Sequence, residues 1–247
     1  MNLQIDVGNT FLKWRVIEGG VVLGRGGHAT DSKECLADFS FWRRVKVISL
    51  ASVASAEVDA RLVSVLKGNR PDITPFIATT QSSFQGVSCA YSSPEQMGVD
   101  RWLALIAGYV KYGDSCCVVD CGSAITVDVV NCDGFHEGGY ILPGVRLMKK
   151  SLAAGTKKVK FEDLGAMSVR YGKNTTECVE NGINYMILSV FEQLKRRLST
   201  EGVARLFVTG GDAALVSSLC DGVELIPDLV LDGLALVGAE SRNSNNN

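Results

Sequence analysis

The sequence predicts an α/β protein in which one architecture is used twice, and three observations carry that expectation. A strand that runs into Asp, a glycine turn and a hydroxyl residue occurs as Leu3-Gln4-Ile5-Asp6-Val7-Gly8-Asn9-Thr10 and again as Val118-Val119-Asp120-Cys121-Gly122-Ser123-Ala124-Ile125-Thr126. Each copy opens a run of three strands followed by alternating helices and strands, the order that builds layered α/β domains. A third glycine turn, Val208-Thr209-Gly210-Gly211-Asp212, closes another apolar strand.

Taken in order, residues 10–18 alternate as a strand, with Leu12, Trp14 and Val16 on one face and Lys13 and Arg15 on the polar face. Gly19-Gly20 is a hairpin turn and 21–28 returns. Residues 32–44 have a helical pattern, 45–50 are a short buried strand, and 57–66 are a second helix. Pro71 and Pro75 bracket a short extended segment. A helix over 101–112 has Trp102, Leu105, Ile106 and Tyr109 at helical spacing. The second copy repeats the order: strands at 116–120, 124–131 and 135–142, with Asp133-Gly134 as the hairpin turn. Helices follow at 145–153 and 176–197. A strand at 205–209, a helix at 212–219 and a closing segment at 232–240 complete the pattern.

Paired turns of this kind suit a nucleoside triphosphate. Backbone N–H groups in a tight turn cradle phosphate oxygens, and a neighbouring carboxylate holds a cation directly or through water. The duplication therefore predicts two similar lobes with an ATP cleft between them. A chain of 247 residues accommodates two domains. We set the lobes at 1–112 and 113–240, each ribonuclease-H-like, with 241–247 as a frayed tail.

Apolar residues at 46% and charged residues at 21% are ordinary for a globular protein. The net charge of −2, from 25 basic and 27 acidic residues, lacks the basic stripe of a nucleic-acid binder. The N-terminus carries no basic and apolar leader pattern, and charged or glycine residues interrupt each apolar run before it reaches a membrane span. We expect a cytoplasmic protein with neither nucleic acid nor membrane as partner. None of the eight cysteines forms a C-x-x-C pair, which argues against zinc and for reduced, buried thiols.

One segment names a substrate. Tyr91-Ser92-Ser93-Pro94-Glu95-Gln96-Met97-Gly98-Val99-Asp100-Arg101-Trp102 lies between the two turns. Read from its residues alone, Asp100 is either a helix N-cap or a base that accepts a proton from an alcohol nucleophile. With the three glycine turns, the chain resembles the actin, sugar kinase and Hsp70-like ATPase fold. With Gly98-Val99-Asp100-Arg101 and Gly138-Gly139-Tyr140-Ile141-Leu142-Pro143-Gly144, it resembles type III pantothenate kinase over nearly its whole length.

That resemblance implies transfer of the ATP γ-phosphoryl group to the primary hydroxyl of pantothenate, the first step of coenzyme A biosynthesis. It implies Asp100 as the catalytic base and Tyr91, Gly98, Val99, Arg101 and Thr175 as substrate contacts. ATP falls to Asp6, Val7, Gly8, Asn9, Thr10, Lys13, Gly122, Ser123, Gly210 and Gly211. Ser123 stands where the family more often has threonine, and Lys13 is otherwise a solvated surface lysine. Asp6 is assigned to Mg²⁺ through water, and Asp120 to a monovalent cation, K⁺ or NH₄⁺. A homodimer is implied, with helix 176–197 as part of its interface or simply as core. The alternatives are a non-catalytic nucleotide-binding accessory factor, or a sugar or acetate kinase of the same fold.

Overall fold

The computed structural model describes residues 1–32, 36, 39–155 and 168–244. They form two compact units that are not contiguous in the chain. Unit one takes residues 1–85, 91–107 and the C-terminal stretch from Leu229. Unit two takes 86–90 and 108–228. The predicted boundary at Tyr112 therefore differs in two places. The helix at Val99–Tyr112 begins in unit one and ends in unit two, and the last helix belongs to unit one.

Unit one is a five-stranded sheet in the order β3-β2-β1-β4-β5. Strands β1 (Asn2–Val7), β2 (Phe11–Glu18) and β3 (Val21–Ala29) form an antiparallel meander. Gly19 and Gly20 turn β2 into β3 at φ of 57° and 81°, the left-handed pair that a two-residue hairpin needs. Strands β4 (Val47–Ser52) and β5 (Phe76–Ile77) add in parallel on the other side of β1. Helix α1 (Ala56–Asn69) starts at a Ser55 cap whose hydroxyl accepts the Val58 N–H. Leu3, Ile5, Val7, Leu12, Val16, Ile48, Leu50, Leu62 and Leu66 make its apolar core.

Several expectations change here. The helix predicted over 32–44 includes residues 33–35 and 37–38, which lie outside the described ones. Only a short 3₁₀ turn at Trp42–Arg44 is seen in the remainder. The extended segment follows Pro75 rather than lying between the two prolines. Arg15 is buried rather than on a solvated face. Its guanidinium donates to Gln4 Oε1 and to Asp232 Oδ1, both at 2.7 Å. Asp232 lies on α6 (Leu229–Ser244), which packs on β1 and β4. Helix α6 continues through 241–244, where a frayed tail is predicted, and 245–247 lie outside the described residues.

After unit one's sheet the chain turns at Gln85 and Gly86 between β6 (Ser83–Phe84) and β7 (Val87–Ser88). Helix α2 (Val99–Tyr112) follows. Unit two then repeats the first sheet in the order β10-β9-β8-β11-β12. Strands β8 (Cys116–Cys121), β9 (Ala124–Val130) and β10 (His136–Pro143) form the meander. Strands β11 (Arg205–Thr209) and β12 (Glu224–Leu225) join in parallel. Both sheets thus have the same strand sequence, three antiparallel then two parallel, which is the duplication expressed as topology.

Helices α3 (Val145–Gly155), α4 (Thr175–Glu201) and α5 (Ala213–Leu219) complete unit two. Helix α4 buries Ile183, Ile187, Phe191, Leu194 and Leu198 against Cys117, Val119 and Val127 of the sheet. Burial pushes the Cys116 thiol up to about 12 and the Cys117 and Cys121 thiols up as well. They therefore behave as small apolar side chains.

Candidate active site

In unit one the first turn is closed by the Gly8 N–H, which donates to the Phe11 carbonyl at 3.1 Å. Asn9 and Thr10 are exposed at its tip and Asp6 is half-buried at the strand end. Lys13 stands directly opposite Asp6 across the β1–β2 ladder. Directly opposed residues share a face, with Cβ atoms about 5 Å apart, so Lys13 and Asp6 leave the turn on the same side.

The same unit brings the Gly98–Arg101 segment to this turn through Val53. The Val53 N–H donates to the Val7 carbonyl at 3.0 Å. Its Cγ1 would lie 3.8 Å from a Cβ at Gly98. Thr80 holds the segment from behind, its hydroxyl donating to the Met97 carbonyl at 2.8 Å.

Helix α2 begins two residues earlier than its apolar pattern predicts. The Trp102 N–H donates to the Gly98 carbonyl at 3.1 Å, so Gly98 occupies the cap position. Asp100 is therefore inside the first turn rather than the N-cap. Its Oδ1 accepts the Arg101 N–H at 2.8 Å, which satisfies one of the helix's open donors. The Arg101 side chain is buried, and its Nη1 donates to Tyr91 Oη at 3.2 Å. Its Cζ also lies 5.9 Å from the centre of the Tyr91 ring. Two residues predicted to touch substrate thus orient each other. Val99 is buried, so any contact it makes with a ligand runs through its backbone.

In unit two the second turn is closed by the Gly122 N–H, which donates to the Ala124 carbonyl at 3.0 Å. The third glycine turn lies against it. The Asp212 N–H donates to the Cys121 carbonyl at 2.8 Å, and a Cβ at Gly210 would overlap both Asp120 Oδ1 and that carbonyl. Gly210 has φ +99°, so glycine is required there twice over, for backbone conformation and for space. The structure therefore brings the second and third turns together through Asp120, Cys121, Gly210 and Asp212, with Gly122, Ser123 and Gly211 as their sequence neighbours. Burial pushes the Asp212 carboxyl up, opposed by the charges of Arg146 and Lys149.

Thr175 opens α4, one residue earlier than its apolar pattern predicts. Asn174 caps the helix, its Oδ1 accepting the Glu177 N–H at 2.9 Å, while Glu177 Oε2 accepts the Lys173 N–H at 2.8 Å. The Asn-x-x-Glu spacing is a capping-box variant visible in the sequence. Thr175 borders an apolar hollow of about 460 Å³ with Leu152, Cys178, Val179, Ile183 and Met186.

Carboxylate and carbonyl oxygens are hard donors that suit Mg²⁺ and K⁺. Asp6 and Asp120 offer such oxygens beside turns whose amides suit phosphate. Among the described residues no cluster of three or more His, Cys, Asp or Glu stands ready to hold a metal alone.

A family model described as type III pantothenate kinase matches residues 2–197. A type III pantothenate kinase of Marinobacter nauticus is 34% identical over 239 residues, spanning 97% of this chain and 98% of the relative. One from Hahella chejuensis is 39% identical over 238 residues, spanning 95% and 96%. Among solved structures, a conserved putative Baf family transcriptional activator from Campylobacter jejuni superposes with TM-score 0.63 at 20% identity, over 98% of this chain and 99% of that one. A putative 2-dehydro-3-deoxygalactonokinase from Sinorhizobium meliloti gives 0.53 at 13% identity, over 98% and 99%. Component A of (R)-2-hydroxyglutaryl-CoA dehydratase from Acidaminococcus fermentans gives 0.51 at 14%, over 97% and 99%. At these identities the likeness is one of fold, the duplicated actin/Hsp70-like ATPase architecture.

Proposed function

The chain belongs to the type III pantothenate kinase family, and on that premise we propose how it transfers the γ-phosphoryl group of ATP to the primary hydroxyl of pantothenate, the first step of coenzyme A biosynthesis. The observation that carries the proposal is the start of α2. It holds an acid, Asp100, next to a buried cation, Arg101, already oriented by Tyr91.

The pantothenate hydroxyl oxygen attacks the γ-phosphorus as the bond to the ADP oxygen breaks, and Asp100 takes the hydroxyl proton. Arg101 offers its planar guanidinium to the substrate carboxylate or to the transferring phosphoryl oxygens. Tyr91, Thr175 and the backbone of Gly98 and Val99 line the acceptor. Val7, Gly8, Asn9, Thr10 and Lys13 of the first turn, with Gly122, Ser123, Gly210 and Gly211, contact ATP. Asp6 would hold the Mg²⁺ that accompanies ATP, which would supply charge to neutralise the phosphates. Asp120 would hold a monovalent cation, K⁺ or NH₄⁺, which would supply positive charge for the phosphates.

We further propose that the protein is a cytoplasmic homodimer. No helix among the described residues is long and apolar enough to cross a membrane. Tyr185 and Met186 stand 61% and 55% exposed on α4, apolar side chains that a partner subunit would cover.

The test is ATP-dependent phosphorylation of pantothenate by the purified protein with Mg²⁺, in sodium and then in potassium or ammonium salt. Phosphopantothenate should form, and faster with potassium or ammonium. Turnover of a sugar but not of pantothenate overturns the substrate, and equal rates in all salts overturn the role of Asp120.

A further inference from the structure

We infer that Thr30 is a positioning residue for the phosphate groups of ATP, acting through the first turn. Thr30 follows the last residue of β3 and is buried. It makes two bonds to that turn: its N–H donates to the Thr10 carbonyl at 3.0 Å and its hydroxyl donates to the Gly8 carbonyl at 2.8 Å. Its own carbonyl accepts from the Arg61 guanidinium on α1, so the clamp is anchored from a second element.

The consequence follows from peptide geometry. The bond linking Gly8 to Asn9 is trans, and in a trans peptide the C=O and the following N–H point in opposite directions. Drawing the Gly8 carbonyl onto Thr30 aims the Asn9 N–H away from Thr30, on the side where Asn9 is exposed. A turn that cradles phosphate needs its amides fixed in that outward sense before the ligand arrives. Without the hydroxyl, this peptide is free to flip and turn its carbonyl oxygen toward an anion.

The second copy of the turn isolates what the side chain contributes. Gly144, which follows the last residue of β10, donates its N–H to the Ser123 carbonyl at 3.2 Å, the counterpart of the Thr30 backbone bond. A Cβ there would overlap the Gly122 and Ser123 carbonyls. The second turn closes from Gly122 to Ala124, whereas the first closes from Gly8 to Phe11, one residue wider. That extra residue makes room for a side chain, and Thr30 fills it with a hydroxyl.

The inference rests on the first turn being the ATP contact proposed above. Steady-state kinetics on wild type, Thr30→Val and Thr30→Ser test it, with pantothenate and ATP varied separately. Valine keeps the shape and the backbone bond but removes the donor. The loss of one buried hydrogen bond predicts a rise in KM for ATP of about three- to tenfold. KM for pantothenate should stay within about twofold, and Thr30→Ser should restore the wild-type KM for ATP. An unchanged KM for ATP in Thr30→Val overturns the inference, as does a serine variant as impaired as valine. Should valine fail to fold, Thr30→Cys replaces it, and a KM for ATP equal to that of Thr30→Ser overturns the inference equally. Failure of the underlying reading shows separately, as a wild-type protein that does not phosphorylate pantothenate.

Discussion

Gly98→Ala moves one atom into the centre of the proposed chemistry, and the structure sets the size of the effect. A Cβ at Gly98 would lie 2.6 Å from Asp100 Oδ1. An ordinary carbon–oxygen approach is about 3.3 Å, so the carboxylate oxygen must withdraw by about 0.7 Å. The same oxygen accepts the Arg101 N–H at 2.8 Å, and rotating it away strains or breaks that bond. A misplacement of about 1 Å at a reacting group costs on the order of a hundredfold. We expect kcat to fall about 10- to 100-fold. Gly98 does not have a left-handed φ, so alanine adopts its backbone. The cost at the cap position is about 1 kcal/mol or less, a drop of roughly 2–4 °C in Tm for a chain of this size. The assay is steady-state ADP release with saturating pantothenate, paired with a thermal melt. A Gly98→Ala enzyme with kcat within twofold of wild type, while Asp100→Asn is inactive, refutes the argument that Asp100 must sit where this structure holds it.

Asp100→Asn keeps an oxygen to accept the Arg101 N–H and removes only the base. We expect kcat to drop about 10²- to 10⁴-fold with Tm nearly unchanged, and near-normal turnover would exclude Asp100 as base. Asp232→Ala removes the 2.7 Å ion pair to Arg15, whose side chain is 5% exposed. It should lower unfolding free energy by about 2–4 kcal/mol, read by urea denaturation. The thiols give a pH prediction. Burial raises Cys116 to about 12 from its usual 9.0, so its stabilising contribution is complete below pH ~9 and is lost as pH rises toward 12. Urea midpoints should therefore decline above pH ~9, and Cys116→Ala should flatten the decline. At neutral pH, exposed Cys132 and Cys178 should react with a thiol reagent in the native protein, and Cys116 only on unfolding.

What the sequence reveals is what is local. Each meander is legible because apolar alternation is broken at Gly19-Gly20 and at Asp133-Gly134, where the backbone needs φ that only a few residues adopt easily. The third glycine turn is legible for the same reason at Gly210, whereas the first two show only as Asp, Gly and a hydroxyl residue at a strand end. Within unit two the second and third turns meet. The misjudged features depend on residues far along the chain. Arg15 alternates like a solvent-facing residue, yet it is buried because Asp232, 217 residues later, returns on α6 to meet it. Strand β12 has two residues, too short for any periodicity, and exists because β11 offers an open edge. The start of α2 is misread because Gly98 caps it through its backbone carbonyl, with no side-chain signal to read. The start of α4 was legible in Asn174 and Glu177. Reading only the apolar spacing hides it.

The two copies of the turn solve one problem with different means, and the difference says which parts of the duplication are free to diverge. Both must turn a carbonyl inward so that amides face out, and both use a backbone N–H supplied just after the third strand. The narrower second turn leaves no volume for a side chain at Gly144 and lays its Cys121 carbonyl against the Asp212 N–H. A Cβ at Gly144 or Gly210 would overlap this backbone packing, whereas one at Gly122 would meet only ordinary contacts. The wider first turn has slack that backbone contacts do not remove, and a side-chain hydroxyl, itself anchored by Arg61, takes it up. A wider turn with a replaceable clamp is the copy in which ligand affinity can be tuned by one residue without disturbing the sheet. The closed second turn fixes Asp120 beside Gly210, the position proposed above for a monovalent cation. The asymmetry of the clamps thus parallels the proposed division of roles, adjustable phosphate contact at the first turn and a rigid cation seat at the second.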